Sequence, residues 1–361
     1  MKATQKLHDA GQSLWLDNIT RNLLTSGGLR RYINECSVTG LTSNPTIFDN
    51  AIKSGSDYDT AIRQKNSAGR SGETLFFELA LEDCTAAADL FRPIHDRTNG
   101  VDGWVSLEVS PKLAYDASST VAAAKELHAR AARPNLYIKI PGTREGIPAI
   151  EESIFAGIPI NVTLLFSREQ YLAAANAYMR GIERRLAAGL NPYVSSVASL
   201  FISRWDVAVA KKVPEALHDR IGLAIAKRTY KAYRDLLDSD RWLRLVNNGA
   251  RSQRLLMAST GTKDPKASDV LYVVSLAAPH TVNTMPENTL TALADHGNIG
   301  SMLPRDGGNA EAEVAEFAKA GIDTDALAEQ LQREGAESFV KSWEDLMSVI
   351  EHKTAQLKKA G

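Results

Sequence analysis

The sequence predicts a single α/β domain, a (β/α)8 TIM-type barrel with extra helices and a helical C-terminal tail. Three observations lead there. Eight short β-rich runs occur in order, helix-like segments separate most of them, and 361 residues suffice for one large core. The same length would also accommodate two or three ordinary domains. An open doubly wound sheet is the competing architecture, since it uses the same alternation of strand and helix. The expected domain covers 1–361, with a barrel core over about 12–300 and C-terminal helices over about 308–357.

In chain order, the expected strands are Ser13–Leu16, Val38–Leu41, Trp104–Val109, Leu136–Ile140, Pro159–Leu164, Val194–Ala198, Leu255–Ser259 and Leu271–Ser275. Each is short and rich in aliphatic, β-branched or aromatic residues, as buried parallel strands are. After the second strand, Ser54 to Gly72 holds Gly55, Gly69 and Gly72 among polar residues and reads as an elaborated loop. Ser118 to Ala132 is rich in Ala, Lys, Glu and Leu behind a serine cap, which predicts a helix. Ser167 to Ala188 is another, with Gln170 three residues after Ser167 in a capping-box pattern. Beyond the eighth run, Gly307-Gly308 makes a turn and a helical tail follows. In that tail Phe339, Trp343, Leu346 and Ile350 mark one apolar face, which predicts packing surface, a lid or a dimer contact.

Composition excludes several classes of function. With 42 Lys+Arg against 43 Asp+Glu, the net charge of −1 gives no basic field for nucleic acid. Cys36 and Cys84 lie far apart with no CxxC spacing, so neither a disulfide framework nor a zinc ribbon fits. The start of the chain lacks the apolar core of a signal peptide. The longest apolar stretch, Val270–Ala278, is interrupted by Ser275 and is too short to span a bilayer. The sequons at Asn18-Ile19-Thr20 and Asn161-Val162-Thr163 read as chance matches, the second lying in a buried strand. These features predict a cytoplasmic protein without a membrane or nucleic-acid partner. Seven scattered histidines form no HExxH or His-x-His pair, so no metal site is expected. Nor is there a GxGxxG after a strand, a complete P-loop or a GxSxG elbow.

Active-site groups in such barrels sit where strands end at the C-terminal face. Those ends read Asp17, Asn44, Glu108, Lys139, Asn161 with Thr163, Ser199 and Ser259. Any one alone is also a plausible cap or turn residue. Lys139 is the most informative. In Leu136-Tyr137-Ile138-Lys139-Ile140-Pro141 the aliphatic residues share one strand face, and Tyr137 and Lys139 share the other. If the aliphatic face meets the helices, Lys139 points into the barrel. Burying an ammonium is costly and favours the neutral amine that attacks a carbonyl. A lysine at a strand edge with its head in water is the competing reading.

Two longer motifs identify a resemblance. Gly40-Leu41-Thr42-Ser43-Asn44-Pro45-Thr46-Ile47-Phe48 resembles the first signature of transaldolases. The run from Leu136 to Ile147 resembles their second, which contains a Schiff-base lysine. Further matches follow chain order at Leu16-Asp17-Asn18, Ser106–Val109, Asn161–Phe166 and Ser199–Arg204, so the resemblance covers about 12–300. It implies a class I aldolase-type barrel that needs no cofactor and acts on small phosphorylated sugars. The implied reaction moves a dihydroxyacetone unit from sedoheptulose 7-phosphate to glyceraldehyde 3-phosphate in the non-oxidative pentose phosphate pathway. The expected assembly is a monomer or homodimer.

The same resemblance implies roles. Lys139 would form the imine, and Asp17 would exchange a proton with the C4 hydroxyl. Glu108 would act through a water held with Thr163. Asn44 and Asn161 would bind hydroxyls of the three-carbon unit. Ser199, Arg204 and Ser259 would bind phosphate. Each also has a plainer reading. Asp17 could cap a helix before Ile19, Glu108 could form a strand-end ion pair, Asn44 could be a turn residue, and Arg204 could pair with Asp206. Asn161 is harder to explain so, because an amide inside a buried strand needs partners.

One departure stands out. Many transaldolases place an arginine where Ala258-Ser259-Thr260-Gly261-Thr262-Lys263 has Gly261, so Lys263 is the expected substitute. That substitution, and Val282-Asn283-Thr284-Met285-Pro286-Glu287, resemble the longer-chain branch of the family. Fructose 6-phosphate aldolase is the nearest rival. Those relatives are shorter and typically carry Gln and Tyr where this chain has Glu108 and Phe201. A barrel that binds phosphosugars without catalysis is the other rival, and it would be expected to lose Lys139, Asp17 or Glu108.

Overall fold

The computed structural model describes residues 1–359. Eight parallel strands close into a barrel in sequence order. They are β1 (Ser13–Asp17), β2 (Val38–Thr42), β3 (Trp104–Glu108), β4 (Leu136–Pro141), β5 (Ile160–Leu165), β6 (Ser196–Phe201), β7 (Gln253–Ala258) and β8 (Val282–Met285). Closure comes from β8 pairing with β1, Ser13 opposite Val282 and Leu16 opposite Met285. The open doubly wound sheet is thereby excluded.

Alternation along the strands builds the two sides of the barrel. Leu14, Leu16, Leu136, Ile138, Ile140, Leu255 and Met257 join the core between strands and helices. Trp15, Trp104, Tyr137, Val197, Leu256 and Val282 belong to a second buried cluster on the inner face. Trp104 stacks on Tyr137 with ring centroids 4.1 Å apart, and Trp15 lies 6.1 Å from Tyr137. These rings fill the barrel below the polar strand ends. Gly40 makes room for them. A Cβ there would fall 2.6 Å from the Trp104 carbonyl oxygen and 2.7 Å from the Trp15 indole nitrogen.

Two expected elements differ. Leu271–Ser275 is a short helix rather than the eighth strand, which is Val282–Met285. A five-residue apolar run has no period that separates strand from helix. The true strand was masked by Asn283 and Thr284, buried polar residues that interrupt its short apolar pattern. Similarly, the stretch expected as a loop contains the helix Asp59–Ser67. That helix buries little apolar surface, Ile62 being its one buried residue, so it carries almost no periodic signal.

Boundaries elsewhere move by a few residues. The helix expected from Ser118 is Ala117–Ala131, and its cap is Asp116, which accepts from Ser119 N at 3.0 Å. The Arg168–Ala187 helix has the expected serine cap, Ser167 Oγ accepting from Gln170 N at 3.1 Å. Gln170 Oε1, however, accepts from Phe166 N at 2.8 Å, one residue before the cap, so the box is displaced. The tail forms the helices Ala310–Lys319 and Thr324–Lys359. Phe339, Trp343, Leu346 and Ile350 are all buried, so the apolar face packs on the body of the protein. Trp343 Nε1 also donates to Glu73 Oε1 at 2.9 Å. Among the described residues no helix is long and apolar enough to cross a membrane.

Candidate active site

The C-terminal ends of the strands surround a cavity of about 240 Å³. Asp17 lines it from β1, and Thr42 and Asn44 line it at the end of β2. Lys139 enters from β4, Thr163 from β5, and Ser199 with Phe201 from β6. Arg204, Ser259, Gly261, Lys263, Thr284 and Pro286 complete the opposite wall, and Phe339 of the Thr324–Lys359 helix closes one side. Thus eight of the ten residues expected at the site line one cavity. Glu108 and Asn161 lie just behind its wall.

Lys139 is 4% exposed and points into the barrel, as the strand alternation predicts. Its Nζ donates to the Ser43 carbonyl at 3.1 Å and lies 3.1 Å from Glu108 Oε2. That ion-pair contact is poorly aligned for a hydrogen bond. Both Glu108 oxygens and Thr163 Oγ1 are buried without a hydrogen-bond partner in the protein. Each can accept from a water, and Thr163 can also donate to one.

The loop after Lys139 is tightly built. Thr143 Oγ1 donates to the Ala114 carbonyl at 2.5 Å and accepts from Gly146 N at 3.0 Å. A Cβ at Gly146 would meet the Pro141 carbonyl oxygen at 2.0 Å, so glycine is required where the chain turns back on its strand. On the neighbouring strand the register shifts between Val162 and Leu165, and Leu164 takes a left-handed φ of 60°. This bulge follows Thr163 directly. Gln332 of the tail helix fastens both strand ends, donating from Nε2 to the Gly142 carbonyl at 3.0 Å and the Leu164 carbonyl at 2.9 Å.

Asp17 is not a helix cap; Thr20 caps the Arg21–Thr25 helix instead. Asp17 Oδ1 accepts from Thr42 Oγ1 at 2.7 Å. Burial pushes the Asp17 carboxyl above the ordinary aspartate range, against the opposing effects of Lys139, the Thr42 hydrogen bond and Lys263. Burial also raises the Glu108 carboxyl; Lys139 opposes this and Asp17 adds to it.

Asn44 combines both of its expected readings. Its Oδ1 caps the Pro45–Lys53 helix by accepting from Ile47 N at 3.0 Å, while the residue lines the cavity. Asn161 is fully buried and commits its amide to the protein. Its Nδ2 donates to Ser106 Oγ at 3.0 Å, and its Oδ1 accepts from Ser199 Oγ at 2.7 Å. Ser259 Oγ lies 2.8 Å from Ser203 Oγ, and Lys263 is exposed at the rim.

Arg204 does not pair with Asp206. Its guanidinium sits between the Phe201 and Phe339 rings, 5.4 and 5.8 Å from their centroids. Burial lowers its proton affinity, with Glu334 opposing. Asp206 is buried and accepts from Ile221 N at 3.1 Å and Tyr272 OH at 2.8 Å. Three basic side chains, Lys139, Arg204 and Lys263, therefore line the cavity against the single acidic side chain of Asp17. Such a wall suits a neutral carbonyl compound with an anionic end. Among the described residues, no group of three His, Cys, Asp or Glu side chains is arranged to hold a metal.

Thr42, Thr284, Phe339 and Gln332 had no assigned role in the sequence. Thr284 lies in the Val282–Glu287 motif, which carried no role, and Phe339 in the apolar tail stripe, which reads as packing surface, a lid or a dimer contact and not as part of the site. Gln332 carried no signal.

Comparison with known proteins adds a second line of support. Residues 14–350 match the family described as Transaldolase/Fructose-6-phosphate aldolase. The chain is 43% identical over 366 residues to a protein named Transaldolase from Arthrobacter sp. (strain FB24), covering 99% of each chain. A protein of the same name from Thermobifida fusca (strain YX) is 44% identical over 360 residues, 97% of this chain and 98% of its own. Another, from Saccharopolyspora erythraea, is 42% identical over 361 residues, 98% of each.

Proposed function

The chain belongs to the transaldolase/fructose-6-phosphate aldolase family, and from that premise we infer that its cavity carries out the transaldolase reaction on phosphorylated sugars. The enzyme is a transferase. It moves a dihydroxyacetone unit from sedoheptulose 7-phosphate to glyceraldehyde 3-phosphate, giving erythrose 4-phosphate and fructose 6-phosphate in the non-oxidative pentose phosphate pathway. The observation that carries the mechanism is a lysine buried at the cavity floor, 3.1 Å from a carboxylate.

In the mechanism we assign, Lys139 Nζ adds to the C2 carbonyl of the ketose phosphate, and loss of water gives a protonated imine. Glu108 and Thr163 would hold the water that shuttles protons in these steps. Their buried, unpartnered oxygens support that role. The C3–C4 bond then breaks, its electron pair passing to the imine nitrogen, while Asp17 takes the C4 hydroxyl proton. The aldose phosphate leaves, and the remaining three-carbon enamine attacks the acceptor aldehyde. Asp17 returns its proton to the new hydroxyl, and water releases the product from Lys139.

Asn44 would bind a hydroxyl of the three-carbon unit through its amide nitrogen, since its oxygen caps a helix. Asn161 would act mainly by orienting Ser199, to which its amide is bonded. Ser199, Arg204, Ser259 and Lys263 would bind the phosphate end. We further propose one domain over 1–361, a cytoplasmic setting, a monomer or homodimer, and no nucleic-acid partner.

The partition of products tests the reaction type. Given fructose 6-phosphate and erythrose 4-phosphate, the enzyme is expected to form sedoheptulose 7-phosphate with little free dihydroxyacetone. Release of dihydroxyacetone as the main product would assign an aldolase instead.

A further inference from the structure

We propose that the buried hydroxyl pair of Thr284 and Thr42 is the positioning device of Asp17, holding Oδ1 so that Oδ2 is aimed to exchange the substrate proton. This rests on the assignment of Asp17 as the proton acceptor in C3–C4 cleavage. The three residues occupy adjacent strands. Asp17 ends β1, Thr42 opposite it ends β2, and Thr284 lies on β8, the other neighbour of β1. Thr42 is 2% exposed and Thr284 3%.

The donor count gives the pair a direction. Asp17 Oδ1 accepts from Thr42 Oγ1 at 2.7 Å, and Thr42 Oγ1 lies 2.7 Å from Thr284 Oγ1. A threonine hydroxyl has one proton. With that proton on Asp17, the second contact requires Thr284 to donate. Accepting this bond polarises the Thr42 hydroxyl and strengthens its own donation to the carboxylate. Both side chains are β-branched and stiff about χ1. The Thr284 carbonyl is held as well, accepting from Thr260 Oγ1 at 2.9 Å.

When Asp17 takes the substrate proton, it takes it on Oδ2, and Oδ1 remains the acceptor of the Thr42 hydroxyl. The carboxyl therefore keeps its orientation, and the proton stays on the oxygen that received it, ready to be returned when the acceptor adds. A water molecule could serve as partner too, but it would not fix where the carboxylate points.

The charged groups acting on Asp17 are Lys139 from β4, Lys263 from the segment after β7 and Glu108 from β3. None of them is altered by changing a threonine. Removing the Thr42 hydroxyl should therefore raise the acidic limb of the kcat/KM profile by about one pH unit, because a hydrogen bond to the ionised form is lost. Thr284→Val should raise it by roughly a third of that, through loss of polarisation. Thr284→Ser should restore the wild-type limb.

The test is the pH profile of fructose 6-phosphate turnover, with erythrose 4-phosphate as acceptor, for wild type, Thr42→Val, Thr284→Val and Thr284→Ser. Thr284→Ala supplies the same readout if valine disturbs folding. Borohydride trapping at Lys139 should persist in every threonine variant. An unmoved limb in both Thr284→Val and Thr284→Ala would overturn the proposal, as would equal shifts in Thr284→Val and Thr284→Ser. Asp17→Asn retaining wild-type turnover is a separate outcome, and it would overturn the assignment of Asp17 itself.

Discussion

Gln332→Ala separates a tail helix that merely covers the barrel from one that holds its catalytic strand ends in place. The substitution removes two hydrogen bonds, to the carbonyls of Gly142 and Leu164. Each is worth about 0.5–1.5 kcal/mol net, so about 2 kcal/mol of stability should be lost. For 361 residues the unfolding entropy is about 0.8 kcal/mol per kelvin, which converts that loss into a fall in Tm of roughly 3 °C. Gln332→Glu sharpens the test. It keeps the shape but, when ionised, offers only acceptors to two carbonyl oxygens, so it should melt below Gln332→Ala at pH 7. At a pH where the acid is protonated, one bond returns and the order should narrow or reverse. Because Leu164 holds a left-handed backbone directly after Thr163, kcat should also fall about tenfold as the bulge loosens. Thermal melts by circular dichroism and steady-state turnover provide both readouts. If the Ala and Glu variants melt within a degree of wild type and keep its kcat, the helix clamps nothing.

Other substitutions probe the phosphate wall and the core beneath it. Lys263→Ala should raise KM for phosphorylated donors more than for unphosphorylated dihydroxyacetone donors, and equal effects in steady-state kinetics would remove Lys263 from phosphate binding. Burial pushes the Asp206 carboxyl up to about 6, despite hydrogen bonds from Tyr272, Gly222 and Ile221. The folded protein therefore binds this proton more tightly than the unfolded chain, so the contribution is full below pH 4 and fades as pH rises through 6. Urea midpoints should show wild type losing about 1–3 kcal/mol relative to Asp206→Asn between pH 4 and pH 7; parallel curves would contradict this.

Local features of the chain carried much of the barrel and its site. Lys139 was legible because one strand's alternation fixes which side chains face the helices, and the helix-facing set is unbroken aliphatic. Asp17, Asn44, Thr163 and Ser199 were legible because each is a compact polar group inside or beside an apolar run. The eighth strand was misplaced for the converse reason: Asn283 and Thr284 are polar within a four-residue strand, whereas Leu271–Ser275 is largely apolar and helical. Asn161 was legible as a buried strand amide that needs partners, but which partners it takes was not. Whether an amide meets substrate or Ser106 and Ser199 depends on neighbouring strands, not on its own segment. Gln332 lies 190 residues from the carbonyl of Gly142 that it holds. Nothing near it in the chain marks that contact, because only packing of the finished tail against the barrel mouth creates it. Phe339 showed its apolar character in the sequence, while its place beside Lys139 and Arg204 required the fold.

The central claim is a covalent intermediate on one lysine. Borohydride reduction in the presence of fructose 6-phosphate, followed by peptide mass mapping, tests it directly. The expected result is a reduced three-carbon adduct on the peptide containing Lys139, absent from Lys139→Met. Active enzyme that turns over this donor yet yields no adduct, or an adduct on another lysine, would contradict it.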